Sequence, residues 1–335
     1  MVGYGFGGPA GDKTNADQGL TFAALFSTGE MSRPASSDRM KWLLLATLSL
    51  IWGSSFILMK RGLYHEGTPV LDPFQLASCR LFIAWIVLMP LLFRHARYFR
   101  AHWKPLMGTA LLGNGLPAFL FAYAQTHSAS VLAGMLNSLT PLFTLLIGVW
   151  LFRVRLRLLN LGGVLLGLLG ALGIIAFREH GGDPVWSVYA VLPIVGALSY
   201  GFSGNIVKHG LYMVPAAAIA GLAISIVGPM GLLGILVTGV PQTLANEPHA
   251  WESMGYVGLL AIFGTGISLV LWNELIKLTS AVWASSVTYL MPVVAVTWGM
   301  LDGETFLPLQ FLMAALILLG VYLVNQGTKA ADGRT

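Results

Sequence analysis

The chain has 335 residues, 56% of them hydrophobic and 10% charged, with a mean hydropathy of +0.75, which excludes a water-soluble globular protein and describes a chain solvated mainly by lipid. The net charge of +5 is spread over short basic clusters between long apolar runs, which argues against a nucleic-acid partner and for anchoring at a lipid surface. One cysteine, Cys79, excludes an internal disulfide and a cysteine-built zinc site.

Residues 1–40 are polar and rich in Gly, Ser and Ala, without the apolar core of a signal peptide, and read as a disordered cytoplasmic tail. Gly3-Tyr4-Gly5-Phe6-Gly7-Gly8 has the letters of a dinucleotide fingerprint but no strand before it and no helix after it. Gly11-Asp12-Lys13-Thr14 lacks the Gly-Lys-Thr of a phosphate loop, and Met31 opens a run typical of a bacterial N-terminus, so an upstream start is expected for the first 30 residues.

From Lys41 onward ten apolar runs follow, at 41–60, 74–92, 105–125, 131–151, 158–177, 185–204, 214–237, 254–273, 281–301 and 308–325. Each is long enough to cross about 30 Å of hydrocarbon as a helix, and none alternates like a barrel strand. The expected fold is an all-α polytopic membrane protein with ten transmembrane helices. With the N-terminus inside, cytoplasmic segments hold 15 of the 19 Lys and Arg residues, outer segments hold Lys60, Arg61 and Arg178, and Arg80 lies within a span. That bias predicts both termini in the cytoplasm, with residues 326–335 as a C-terminal tail. The basic and aromatic run 94–104 then reads as an anchor to anionic lipid.

The segment from Ile51 to Leu63 returns from Ser199 to Leu211. At an offset of 148, Gly53, Ser55, Lys60, Gly62 and Leu63 meet Gly201, Ser203, Lys208, Gly210 and Leu211, and Trp52 meets Tyr200. Leu139-Thr140-Pro141 is echoed by Leu290-Met291-Pro292. The chain thus divides into five-helix repeats at 41–177 and 185–325. An odd number of spans forces the second repeat into the bilayer from the opposite side, and inverted repeats are a signature of secondary transporters.

These residues resemble the EamA-type transporters of the drug/metabolite transporter superfamily. The resemblance rests on Trp52-Gly53-Ser54-Ser55-Phe56, on Phe74 with Arg80-Leu81-Phe82, and on Ser128-Ala129-Ser130 with Leu139-Thr140-Pro141. It rests also on Trp272, on Lys277 to Ala281, on Pro292 and on Gly303-Glu304. One departure stands out: where the family usually has Gly-Glu after its fourth helix, this chain has Phe152-Arg153-Val154-Arg155. The resemblance implies a carrier of small polar metabolites, commonly an exporter of amino acids or related compounds, with a central cavity lined by helices 1 to 4 and 6 to 9.

Arg80 is the sharpest position, because an ionised guanidinium at helix depth costs at least about 2.5 kcal/mol unless it faces water or a partner. It reads as a bidentate donor to a substrate carboxylate or phosphate, against snorkelling to the interface. Further expected pathway residues are Trp52, Ser55, Asn114, Asn137 and Tyr200, with Ser203, Asn205, Trp272 and Tyr289. For the polar ones the alternative is interhelical bonding, and for the aromatic ones an interfacial belt. Gly113-Asn114-Gly115-Leu116-Pro117 should loosen helix 3, and Pro141 and Pro292 are candidate paired hinges against static kinks. Lys60 and Lys208 occupy equivalent helix ends, where capping competes with a pathway role, and Glu274 is expected to pair with Lys277. No catalytic residues, cofactor or metal ligands are expected; His127 stands alone in sequence.

The expectation is therefore a transporter and not an enzyme, in a bacterial inner membrane, exporting a small polar metabolite by alternating access. A facilitator or importer of another metabolite class, and a non-transporting sensor or scaffold, are the alternatives. The partners are a small molecule and membrane lipid, with no nucleic acid, and a homodimer is left open.

Overall fold

Each apolar run becomes a helical stretch in the computed structural model, which describes residues 35–127, 136–176, 189, 191–301 and 308–332. By contacts Met1–Asp38 is a unit separate from Arg39–Thr335, and the account below concerns the second. The helices are α1 (Arg39–Leu63), α2 (Pro73–His95), α3 (Arg97–His127), α4 (Thr140–Phe152) and α5 (Leu158–Ala176). They continue as α6 (Val191–Gly210), α7 (Ala216–Val237), α8 (Ala250–Leu278), a two-part α9 (Ala281–Ser285 and Val287–Leu301) and α10 (Pro308–Asp332). A hairpin of β1 (Tyr64–His65) and β2 (Thr68–Pro69) joins α1 to α2, and a short helix, Val240–Asn246, lies between α7 and α8.

Among the described residues five helices, α1, α2, α3, α7 and α8, are long and apolar enough to cross a membrane, and shorter apolar stretches lie in α4, α5, α9 and α10. Large side chains such as Trp150, Leu158 and Val237 stand exposed on helix faces, as lipid contact requires. The class is an all-α membrane protein. Helix already begins at Ala35, inside the segment assigned above to the tail, and α10 runs on to Asp332, beyond the expected end at 325. Residues 1–34, and with them the glycine motif, Met31 and the upstream-start expectation, lie outside the described residues, as do Ser128-Ala129-Ser130, Arg178 and Gly303-Glu304.

Local chemistry explains the boundaries. At the start of α2, Asp72 accepts a hydrogen bond from Phe74 N (2.8 Å) while Gln75 Oε1 accepts one from Asp72 N (3.0 Å), a reciprocal cap with Pro73 in the first turn. The basic segment spans the end of α2 and the start of α3 across a single turn residue, Ala96. His102 leaves helical geometry (φ −124°, ψ 21°), three residues before Pro105, which has no N–H to give the preceding turn.

The closest helix pairing joins equivalent members of the two halves, α2 with α7 and α5 with α10. Small residues permit it. A Cβ on Gly320 would stand 2.7 Å from Gly163 O and 2.6 Å from Gly167 N, so the backbones of α5 and α10 touch. A Cβ on Gly228 would lie 2.3 Å from Trp85 Cβ. Gly228 is the counterpart of Arg80, and no side chain fits there.

Both halves also interrupt the same helices. A π turn occupies Leu111–Gly115 in α3 and Leu260–Ile267 in α8. The turn before α4 breaks at Ser138–Leu139, and α9 breaks at Ser286. The hydroxyls nearby take up freed carbonyls: Thr140 Oγ1 donates to Asn137 O (2.7 Å) and Thr288 Oγ1 to Ser285 O (3.0 Å).

Candidate functional site

The interruptions surround a cavity at mid-depth of the helices, with about 110 Å³ open to the centre of a water molecule. That admits a few waters or a small metabolite. Side chains of α1–α4, counting the turn before α4, and of α6–α9 line it, and among the described residues α5 and α10 contribute none.

Arg80 enters the cavity from the second turn of α2. Its Nε donates to Thr265 Oγ1, 2.7 Å away in the π turn of α8, and among the described residues no carboxylate pairs with it or lines the cavity. Facing a polar cavity is how a guanidinium escapes the cost of lipid.

Trp52, from α1, donates its indole N–H to Gly264 O and to Ser268 Oγ, both at 3.0 Å. The π turn leaves a carbonyl turned out of register, and Trp52 and Ser268 satisfy it; Ser268 Oγ donates to the same Gly264 O at 2.7 Å. The Trp52 and Trp272 rings meet at 5.3 Å, and Tyr200 stacks on Phe121 at 5.9 Å, 19° from parallel. These two pairs form apolar walls beside the guanidinium.

Ser55, Asn114, Asn137 and Ser203 complete the expected residues that reach the cavity. Ser55 Oγ donates to Ile51 O (2.9 Å), and Asn114 Nδ2 donates to Thr109 O (3.2 Å) within the π turn. The loosening expected at Gly113-Asn114-Gly115 thus takes the form of one extra residue in a continuous helix.

Asn205 and Tyr289 do not line the cavity, contrary to expectation. Asn205 Nδ2 ties α6 to α4 through Thr144 O (2.9 Å) and bonds its own helix at Gly201 O (2.9 Å). The Tyr289 hydroxyl donates to Val164 O on α5 (2.8 Å), inside the core. Both are consumed by helix packing.

Pro141 sits in the first turn of α4, where a missing N–H breaks nothing, and Pro292 lies inside the second part of α9. The breaks themselves fall upstream, at Ser138–Leu139 and Ser286.

Of the helix-end charges, Lys60 is exposed. Lys208 caps another helix: its Nζ donates to Ile276 O (3.1 Å), Lys277 O (3.4 Å) and Thr279 O at the C-terminus of α8. Lys277 donates to Val214 O at 2.7 Å, and the expected pair with Glu274 is not made; Glu274 is exposed.

Several lining residues were not among the expected pathway residues: Thr109, Gly113, Thr140, Thr265, Ser268 and Asn273. Thr109 Oγ1 and Asn273 Oδ1 are buried without a protein partner among the described residues. A signal was present. Thr265, Ser268 and Trp272 recur at helical spacing along one face of an otherwise apolar span.

Comparison with known proteins agrees with this geometry. An inner membrane transporter of Escherichia coli (strain K12), YedA, itself described as uncharacterized, is 29% identical over 293 residues, covering 84% of this chain and 90% of that one. A probable amino-acid metabolite efflux pump of Salmonella typhimurium is 27% identical over 289 residues (82% and 91%), and a probable terminal-alkyne amino-acid exporter of Streptantibioticus cattleyicolor is 27% identical over 297 residues (86% and 93%). A solved crystal structure shares the fold, with a TM-score of 0.66 at 19% identity over 87% of this chain and 98% of that one. The EamA-like transporter family matches residues 40–176 and 187–326. Two matched copies, a cavity between them and transporter-named relatives lead to one conclusion: the chain belongs to the EamA-like transporter family.

Proposed function

We propose that this protein is a secondary transporter that exports a small polar metabolite, an amino acid or a derivative, across a bacterial cytoplasmic membrane. Ten spans in two inverted five-helix repeats, with both termini cytoplasmic, would work by alternating access around the cavity. The observation that carries the reading is Arg80, a guanidinium facing a cavity that holds no carboxylate among the described residues.

The lining matches a zwitterion with an apolar or planar side chain. Arg80 offers N–H donors to a carboxylate, the unpartnered Asn273 Oδ1 offers an acceptor to an ammonium group, and the Trp52–Trp272 and Phe121–Tyr200 walls receive the rest. Two relatives named for amino-acid export support the substrate class.

A gradient-driven facilitator is the second reading, favoured by the lack of Asp, Glu and His from the lining among the described residues. Proton antiport through a buried carboxylate has no residue among them to use. The test is a thermal-shift screen of the purified protein against amino acids, their amides and their decarboxylated amines, then flux of the best ligand in proteoliposomes with and without a pH gradient. Stabilisation by the acids and not by the amines, with flux indifferent to the gradient, is expected of a facilitator. Stabilisation by the amines alone would remove Arg80 from substrate recognition.

A further inference from the structure

Three ligand-bearing side chains far apart in sequence meet at the end of the bundle that carries the hairpin. His65 closes β1 at the corner of a tight turn, where Glu66 (φ 47°) and Gly67 (φ 84°) both take left-handed backbone geometry. His249 directly precedes α8, and Glu252 lies in its first turn. The two imidazoles stack face to face, with ring centres 3.6 Å apart and planes 5° from parallel. Both direct Nδ1 at the same carboxylate oxygen: His65 Nδ1 is 3.4 Å and His249 Nδ1 3.7 Å from Glu252 Oε2.

These separations are long for hydrogen bonds, whose N···O distance lies near about 2.9 Å. They fit something else. Ligand bonds of about 2.0–2.1 Å in a tetrahedron place the ligand atoms about 3.4 Å apart. All three residues offer a ligand atom within 4.8 Å of the other two. The carboxylate is also oriented from behind: Tyr256 donates its hydroxyl to Glu252 Oε1 (3.4 Å) and accepts from Arg61 Nη1 (3.3 Å), the outer support that metal-binding carboxylates typically have.

We propose that His65, His249 and Glu252 form a binding site for a divalent transition-metal ion of the zinc type. Two neutral imidazoles and one carboxylate are borderline ligands suited to zinc, copper(II) or nickel, and an exposed fourth position is left for water. The parallel rings must tilt for their lone pairs to converge, a rotation about the broad sp³–sp² torsion that these partly exposed side chains can make. His65 belongs to the first half of the chain and the other two ligands to the second, so a bound ion clips the hairpin after α1 to the start of α8. If the halves rock against each other as proposed above, the ion brakes that motion; this consequence rests on the transport reading, and the binding does not.

Calorimetric titration of the detergent-purified, tag-free protein with zinc chloride tests the site. One ion per chain is expected, with affinity reduced about tenfold or more by His65→Ala or His249→Ala and unchanged by His127→Ala, which lies outside the cluster. Copper(II) bound in place of zinc should show spin coupling to two imidazole nitrogens, and to one in either variant. Absence of binding, or binding indifferent to both substitutions, overturns the site. In proteoliposomes, zinc on the hairpin side should slow flux of wild type but not of His65→Ala; binding without that effect keeps the site and discards the brake, whereas absence of flux in any condition counts against the transport reading alone.

Discussion

Arg80 and Thr265 join the two halves of the chain by one hydrogen bond, Nε to Oγ1 at 2.7 Å, at the point where α8 carries an extra residue in its turn. The bond fixes the guanidinium's direction while leaving its terminal nitrogens for a ligand. Thr265→Val keeps the shape and removes the acceptor. A hydrogen bond to a charged group contributes about 1.5–3 kcal/mol to stability, so the thermal midpoint should fall, and substrate affinity should fall with it because the guanidinium loses its fixed direction. Ligand titration of the purified variant measures it.

Gly320 has backbone on three sides, Gly167 N, Gly163 O and Gly167 Cα, all within 2.8 Å of where a Cβ would stand. Backbone atoms cannot rotate away. Gly320→Ala should therefore push α10 off α5 and destabilise the protein by about 1–3 kcal/mol, seen as a lower thermal midpoint. Gly162→Ala, on the same helix as Gly163 but with open space around it, is the control that should cost nothing through packing.

Arg153 ends α4 in left-handed geometry (φ 54°), with the following residue bonded back as Val154 N to Gly148 O at 2.9 Å. Helices commonly end on glycine in this geometry, and an L side chain there is strained by about 1–2 kcal/mol. Arg153→Gly should raise the thermal midpoint, by an amount worth about 1 kcal/mol after the entropy glycine adds to the unfolded chain. A lower midpoint would mean that the arginine side chain contributes more than its backbone loses.

The inverted arrangement predicts that Lys60 and Lys208, equivalent in the two repeats, face opposite sides of the membrane. Cys79 is buried, so replacing it by alanine and adding single cysteines at 60 and 208 leaves a clean reporter. A membrane-impermeant maleimide applied to intact cells should label position 60 and spare 208. Labelling of both would place them in one compartment and remove the inversion.

Much of the architecture was legible because lipid imposes simple rules. Long apolar runs must be helical, and a lone Arg80 within a span must face something polar. The repeat told which helices are equivalent, though not that equivalents α2 with α7 and α5 with α10 would pack together. The π turn at Leu260–Ile267 was overlooked, although Gly264-Thr265-Gly266 repeats the pattern of Gly113-Asn114-Gly115 in its partner; no proline follows it as Pro117 follows the first. Asn205 and Tyr289 were misplaced for a physical reason: a polar side chain within a span needs a partner whether it faces a cavity or a neighbouring carbonyl, and sequence does not say which. His65 and His249 lie 184 positions apart, beyond any local spacing rule.

The central claim is that Arg80 holds the anionic group of a carried metabolite. Flux of the best ligand from the screen, measured in proteoliposomes containing wild type or Arg80→Ala at matched protein content and thermal stability, tests it most directly. Arg80→Ala should fold and melt like wild type but carry nothing measurable. Wild-type flux in that variant would contradict it.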